Sequence, residues 1–89
     1  MRILLVGAGG VGDAIAKIAA RRSFFETMIV SDYDVTRAER TIAWIEAKHG
    51  PQGDRFVAAQ IDASDPAVVE KVAREHGATH VMNAVEPKF

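Results

Sequence analysis

Cysteine is absent from this chain of 89 residues. That removes three chemistries at once: a disulfide framework, a thiolate nucleophile and a thiolate metal site. The absence suits a reducing compartment, and a cytoplasmic protein is expected. No apolar run approaches the roughly 20 residues of a membrane span. The opening run, Ile3 to Val6, is too short for a signal-peptide core and leads into glycines, so no membrane partner is expected. Neither sign of charge dominates: 11 basic and 12 acidic residues leave a net charge of −1. There is accordingly no basic excess to suggest nucleic acid and no block of like charge to suggest an interaction tail. Of the three histidines, His49 and His76 end different helices, and His80, though four residues after His76, lies in a strand beyond the Gly77 break; no two share a helix face, so no metal site is expected. Serine, histidine and acid never converge in a nucleophile motif, and no catalytic residue is assigned. A chain this short makes at most one small domain, burying ~60–65% of the surface its unfolded form exposes.

What is present is a regular alternation. Ile3-Leu4-Leu5-Val6 is a continuous apolar run of strand length, as expected for a parallel strand covered on both faces. From Val11 the period changes. Val11, Ile15, Ile18, Ala19 and Arg22 fall three or four apart and predict a helix with an aliphatic face, with Arg21 and Arg22 in its last turn beside the exposed carbonyls. Met28 to Ser31 reads as a second strand running into Asp32-Tyr33-Asp34. A helix then runs from about Thr36 to His49, with Ala38, Ile42 and Ile45 inward and Gly50-Pro51 as its stop. Phe56 to Ala59 makes a third strand. Ser64 or Asp65 caps a third helix beginning at Pro66, where proline suits the first position. Val69, Val72 and Ala73 line its inner face, and Gly77 ends it. Thr79 to Asn83, extending toward Val85, is the fourth strand. The predicted class is α/β: a parallel sheet with right-handed crossovers, strand order 3-2-1-4 and helices on both faces.

The first turn carries the chemistry. Gly7-Ala8-Gly9-Gly10-Val11-Gly12 matches G-x-G-x-x-G, directly after a strand and opening a helix. In the dinucleotide-binding fingerprint, the first glycine makes the tight turn and the second admits a pyrophosphate against the backbone. The third lets helix and strand pack closely. A glycine-rich turn without a ligand has the same spelling. Asp32, 20 positions after Gly12, stands where the fingerprint expects an acid for the ribose hydroxyls. Its carboxylate would repel the extra phosphate of NADP, and Tyr33 rather than arginine follows it, so NAD is favoured over NADP. Arg37, one turn into the next helix, could offset this in part, although an exposed helix face is its expected role. Asp13 favours the helix dipole if it points outward and opposes phosphate if it points inward; the spacing leaves both open. Asp62 and Ala63 follow the third strand at the adenine end, where Asp62 suits either the adenine amino group or a simple turn. Asn83 and Ala84 close the fourth, beside the point where the strand order reverses, and Asn83 there suits either a ligand contact or its own strand-end backbone.

The segments "ILLVGAGGVGDAIAKIAARR", "VSDYD", "FVAAQIDASD" and "THVMNAVEPKF" together resemble the N-terminal part of the saccharopine dehydrogenase-like family. Those are NAD(P)-dependent oxidoreductases with a Rossmann domain at the front. The resemblance implies cofactor contacts at Gly7, Gly9, Gly10, Val11, Gly12, Asp32, Asp62, Ala63, Asn83 and Ala84. The family's Asn-Ala-x-Pro ending is matched approximately, with Pro87 later than the pattern places it. Residues 1–89 then correspond to a partial dinucleotide-binding domain. The expected role is the cofactor-binding front of an oxidoreductase transferring hydride between NAD(P) and a secondary amine, inactive alone because substrate domain and catalytic residues lie elsewhere. The alternative is a non-catalytic nucleotide-binding module like those attached to potassium transport proteins. Val81 to Val85 would leave an apolar open edge, so the expectation is either a piece of a longer protein or an assembly in which another chain, such as a second copy, covers it.

Overall fold

The computed structural model describes residues 1–85; Glu86 to Phe89, including Pro87, lie outside the described residues. Four strands and three helices alternate: β1 (Arg2–Val6), α1 (Gly10–Ala19), β2 (Thr27–Asp32), α2 (Val35–His49), β3 (Phe56–Gln60), α3 (Pro66–Glu75) and β4 (His80–Asn83), with one 3-10 turn at Gly53–Arg55. The sheet runs β3-β2-β1-β4 and every pairing is parallel. The chain therefore winds outward from β1 to β3, then crosses back to place β4 on the other side of β1.

Register explains why the first two strands read as unbroken apolar runs. Leu4 pairs with Ile29 and Leu5 with Val30, and all four are fully buried because each sheet face has its own core. On one face, Ile3, Leu5, Met28 and Val30 pack against Ala16, Ala19, Ala38 and Ile45 from α1 and α2. On the other, Leu4, Val6, Ile29 and Ile61 meet Val68, Val69, Val72 and Ala73 of α3. The third helix stands alone on its face, which is why its inner residues are only partly buried.

Helix boundaries follow the local chemistry. Asp34 caps α2 by accepting from the Thr36 amide at 3.0 Å, which starts the helix at Val35, one residue before the sequence reading. Gly50 ends it with φ of +86°. Of the two candidate caps for α3, Asp65 serves, accepting from the Ala67 amide at 3.0 Å with Pro66 at the first turn.

Two expectations about α1 are corrected. The helix ends at Ala19, so Arg21 and Arg22 fall beyond its last turn. Its buried stripe is Gly12, Ala16 and Ala19, while Val11 is 48% and Ile18 61% exposed. The reason is a backbone contact: a Cβ built on Gly12 would lie 1.7 Å from the Gly7 carbonyl oxygen. That approach turns the small-residue face inward and rotates the larger aliphatics outward. The strand β4 is also shorter than expected, four residues, and all of them are exposed. Val81 faces the α3 side with its partner Leu4, and Met82 the α1 side with Leu5. Among the described residues, no helix is long and apolar enough to cross a membrane.

Candidate functional site

The site lies at the carboxyl ends of the strands, where β1 gives way to α1. Gly7 has φ of +102°, a conformation that disfavours any side chain, and its amide donates to the Ser31 carbonyl at 2.8 Å. Gly12 is fixed by the contact just described. Gly9 differs from both. Its φ of −75° suits any residue, and the nearest atom to a Cβ built there is Nη1 of Arg37 at 3.9 Å. Among the described residues nothing requires glycine at position 9, yet a side chain there would stand over the opening. Gly9 is also the N-cap of α1, and among the described residues no side-chain oxygen caps the first amides. A concave loop with uncapped amides at a helix start is the arrangement that accepts phosphate oxygens.

Asp32 is more engaged than the sequence indicates. Its Oδ2 accepts the Ala8 amide at 2.8 Å and its Oδ1 the Asp34 amide at 2.9 Å. The carboxylate thus ties β2 to the glycine loop and fixes its own direction. Each oxygen retains a lone pair for a hydroxyl donor. Tyr33 is 72% exposed at the rim.

Two cavities form one crevice here. One, about 280 Å³, is bordered by Gly7, Gly9, Gly10, Asp32, Ala84 and Val85; the other, about 310 Å³, by Asp32, Tyr33, Ile61, Asp62, Ala63 and Ser64. Arg37, Gly7 and Val85 border both. Asp62 accepts from the Ser64 hydroxyl at 2.6 Å and from its amide at 3.0 Å, and these bonds hold its carboxyl below the usual range. Ala84 is buried against the glycine loop, its amide bonded to the Val6 carbonyl at 2.8 Å. Val11, Gly12 and Asn83 border neither cavity with a side chain: the Val11 side chain is exposed and leaves its helix-start amide as the expected contact, Gly12 makes the helix–strand packing expected of the third glycine, and the Asn83 Oδ1 accepts the Val85 amide at 3.0 Å.

Asp13 points across to α2. It accepts from the Thr41 hydroxyl at 2.7 Å and pairs with Lys17 at 2.8 Å. Burial alone would raise its pKa, but the bonds from Lys17 and Thr41 outweigh that and hold it below the ordinary value. Its charge is balanced beside the helix start. Arg37 was given only a secondary part by the sequence. The structure sets it along the glycine loop, and the signal for this was its place one turn after the Asp34 cap, on the strand-end side of α2.

A parallel sheet whose order reverses at a glycine-lined crevice, with an acid at the end of the second strand, defines a Rossmann-type dinucleotide-binding domain. Residues 3–89 match the sequence model of the saccharopine dehydrogenase NADP binding domain, and the chain belongs to that family. It is of the type that binds a nicotinamide dinucleotide. Among solved structures it is similar to a sorbitol-6-phosphate 2-dehydrogenase from Erwinia amylovora, with a TM-score of 0.76 at 20% identity over 98% of this chain and 35% of that one. It is also similar to a menthone neomenthol reductase from Mentha piperita, with a TM-score of 0.68 at 24% identity over 97% of this chain and 31% of that one. At these identities the likeness is one of fold. The chain spans about a third of the length of either protein.

Proposed function

We propose that this domain binds the adenosine diphosphate half of NAD, as the cofactor-holding front of an oxidoreductase that moves hydride between the dinucleotide and a secondary amine. The observation that carries the reading is Gly9: a glycine that neither backbone angle nor internal packing demands, placed beside uncapped helix amides. On this reading the pyrophosphate lies against Gly9 and Gly10, Asp32 accepts from the adenosine ribose, and Asp62 and Ala63 border the adenine. The nicotinamide supplies hydride chemistry when bound. The residues named here bind and orient it, and the substrate-side acid and base come from outside this chain. The apolar edge at Val81 and Met82 supports a second part of the proposal, that another strand, such as that of a second copy, pairs with β4.

The preference for NAD rests on the direction of Asp32, whose carboxylate is held by two amides and meets the ribose as a fixed negative charge. Arg37 is the opposing charge along the same crevice. Calorimetric titration with NAD, NADP and ADP-ribose decides the matter. NAD and ADP-ribose binding alike, with NADP weaker, is the expected result. Tighter NADP overturns the preference, and no binding of any of the three at millimolar concentration overturns the function.

A further inference from the structure

We infer a second interaction surface, a cationic groove between α1 and α2 that fits a short acidic peptide segment in extended form. Two concavities, about 360 Å³ and about 500 Å³, share Lys17 and Trp44 and so run together along the outer side of these helices. The first is bordered by Arg37 and Arg40, the second by Arg21 and Lys48. None of these four cations forms an ion pair among the described residues. Two acids approach the groove and both are engaged: Asp13 is held by Lys17 and Thr41, and Asp34, at one end, by Thr36.

The charge is sorted by helix geometry. At 100° per residue, Arg37, Arg40, Trp44 and Lys48 share the stripe of α2 beside the groove, while Glu39 and Glu46 fall on the far flank. In a chain of net charge −1, such a cationic strip leaves acidic surfaces elsewhere, among them Asp54, Asp62, Asp65, Glu70 and Glu75.

That balance selects the partner. Long polyanions such as nucleic acid gain from extended positive fields and are repelled by the acidic remainder. Base stacking is disfavoured too, because the ammonium groups of Lys17 and Lys48 lie over the Trp44 ring at 4.4 and 5.1 Å from its centroid. A single small anion would engage one end only, since Arg37 and Lys48 are separated by about 16 Å of helix axis. Roughly five residues of extended chain cover that distance, so alternate carboxylates reach both compartments. At its Arg37 end the groove adjoins the dinucleotide crevice, sharing Gly9, Gly10 and Arg37 with it, whereas Arg40, Trp44, Arg21 and Lys48 lie outside that crevice.

Trp44, the sole tryptophan, reports directly from the groove. The test is its fluorescence during titration of the full chain at low ionic strength with capped hexaglutamate, with hexalysine and a six-nucleotide thymidine strand in parallel. Saturable change with hexaglutamate alone is expected, weakened roughly fivefold or more in each of Arg40→Glu and Lys48→Glu. Both positions are exposed, and circular dichroism confirms that the variants fold. No saturable response, an equal response to the thymidine strand, or unchanged affinity in both variants overturns the inference.

Discussion

The glycines at positions 9 and 12 look alike in the sequence and predict opposite outcomes when each is replaced by alanine. At Gly12 the new Cβ would sit 1.7 Å from the Gly7 carbonyl oxygen, and ordinary contact begins at 3.4 Å. The obstacle is backbone at the end of β1, not a side chain that can swing aside. Relief requires α1 to move off the sheet in an interior packed at crystal density. Overpacking costs ~1–3 kcal/mol where neighbours can adjust; here the upper end applies, about 3 kcal/mol. A domain of this size has a total stability near the low end of the ~5–15 kcal/mol range, so Gly12→Ala removes more than half of it. Each kcal/mol corresponds to ~4–8 °C in Tm for a small domain, giving a fall of at least about 12 °C. At Gly9 the nearest atom is 3.9 Å away and φ is −75°. Alanine reduces unfolded-chain entropy by ~0.4–1 kcal/mol and is a poorer N-cap by a similar amount, so the stability changes by less than ~1 kcal/mol. The same methyl blocks the approach of phosphate, and ADP-ribose affinity falls more than tenfold. Thermal unfolding followed by circular dichroism, with calorimetric titration of each variant, reads both quantities. An unchanged Tm for Gly12→Ala, or wild-type ADP-ribose affinity for Gly9→Ala, refutes the division of labour between them.

Two further outcomes follow from named contacts. Asp13 has a folded pKa below its unfolded value of ~3.9, so its contribution is complete above that value and fades as pH falls through the folded one. Asp13→Asn therefore lowers Tm by a few degrees at pH 7, and the loss shrinks as pH falls below the ordinary carboxylate range; a loss that does not shrink with falling pH contradicts this. Arg55 donates to the Ala20 carbonyl at 3.1 Å beyond the end of α1, and its guanidinium lies 4.6 Å from the Phe25 ring centroid. Arg55→Ala costs about 1–2 kcal/mol, measured by urea unfolding, and a change below a few tenths would show that neither contact contributes.

Most of the fold was legible because each device is local. A buried parallel strand needs only an apolar run, a helix start only its aspartate cap, and a stop only a glycine of positive φ; all stand in the sequence at Leu4, Asp34 and Gly50. What was misread depends on partners far along the chain. Periodicity alone favoured Val11 and Ile18 as the inner face of α1, but the Gly12 contact with Gly7 sets the rotation of that helix, and no count of apolar residues contains it. The site divides in the same way. The glycines and Asp32 declare themselves by spacing. The double use of Asp32, between Ala8 and Asp34, appears only once β2 lies beside β1. Strand position left Asn83 between a ligand contact and a partner for its own strand end, and only the structure shows its side chain accepting the Val85 amide. Arg37 became a wall of the crevice through the placement of α2, not through any motif.

The most direct test of a backbone cradle for diphosphate is a ¹⁵N–¹H NMR titration of the chain with ADP-ribose. The amides of Gly9, Gly10 and Val11 are expected to show the largest saturable shifts, with Ala8 and Asp34 responding through Asp32 and the amides of α3 unchanged. Shifts scattered over the surface without saturation, or saturable shifts that bypass the glycine loop, would contradict the account.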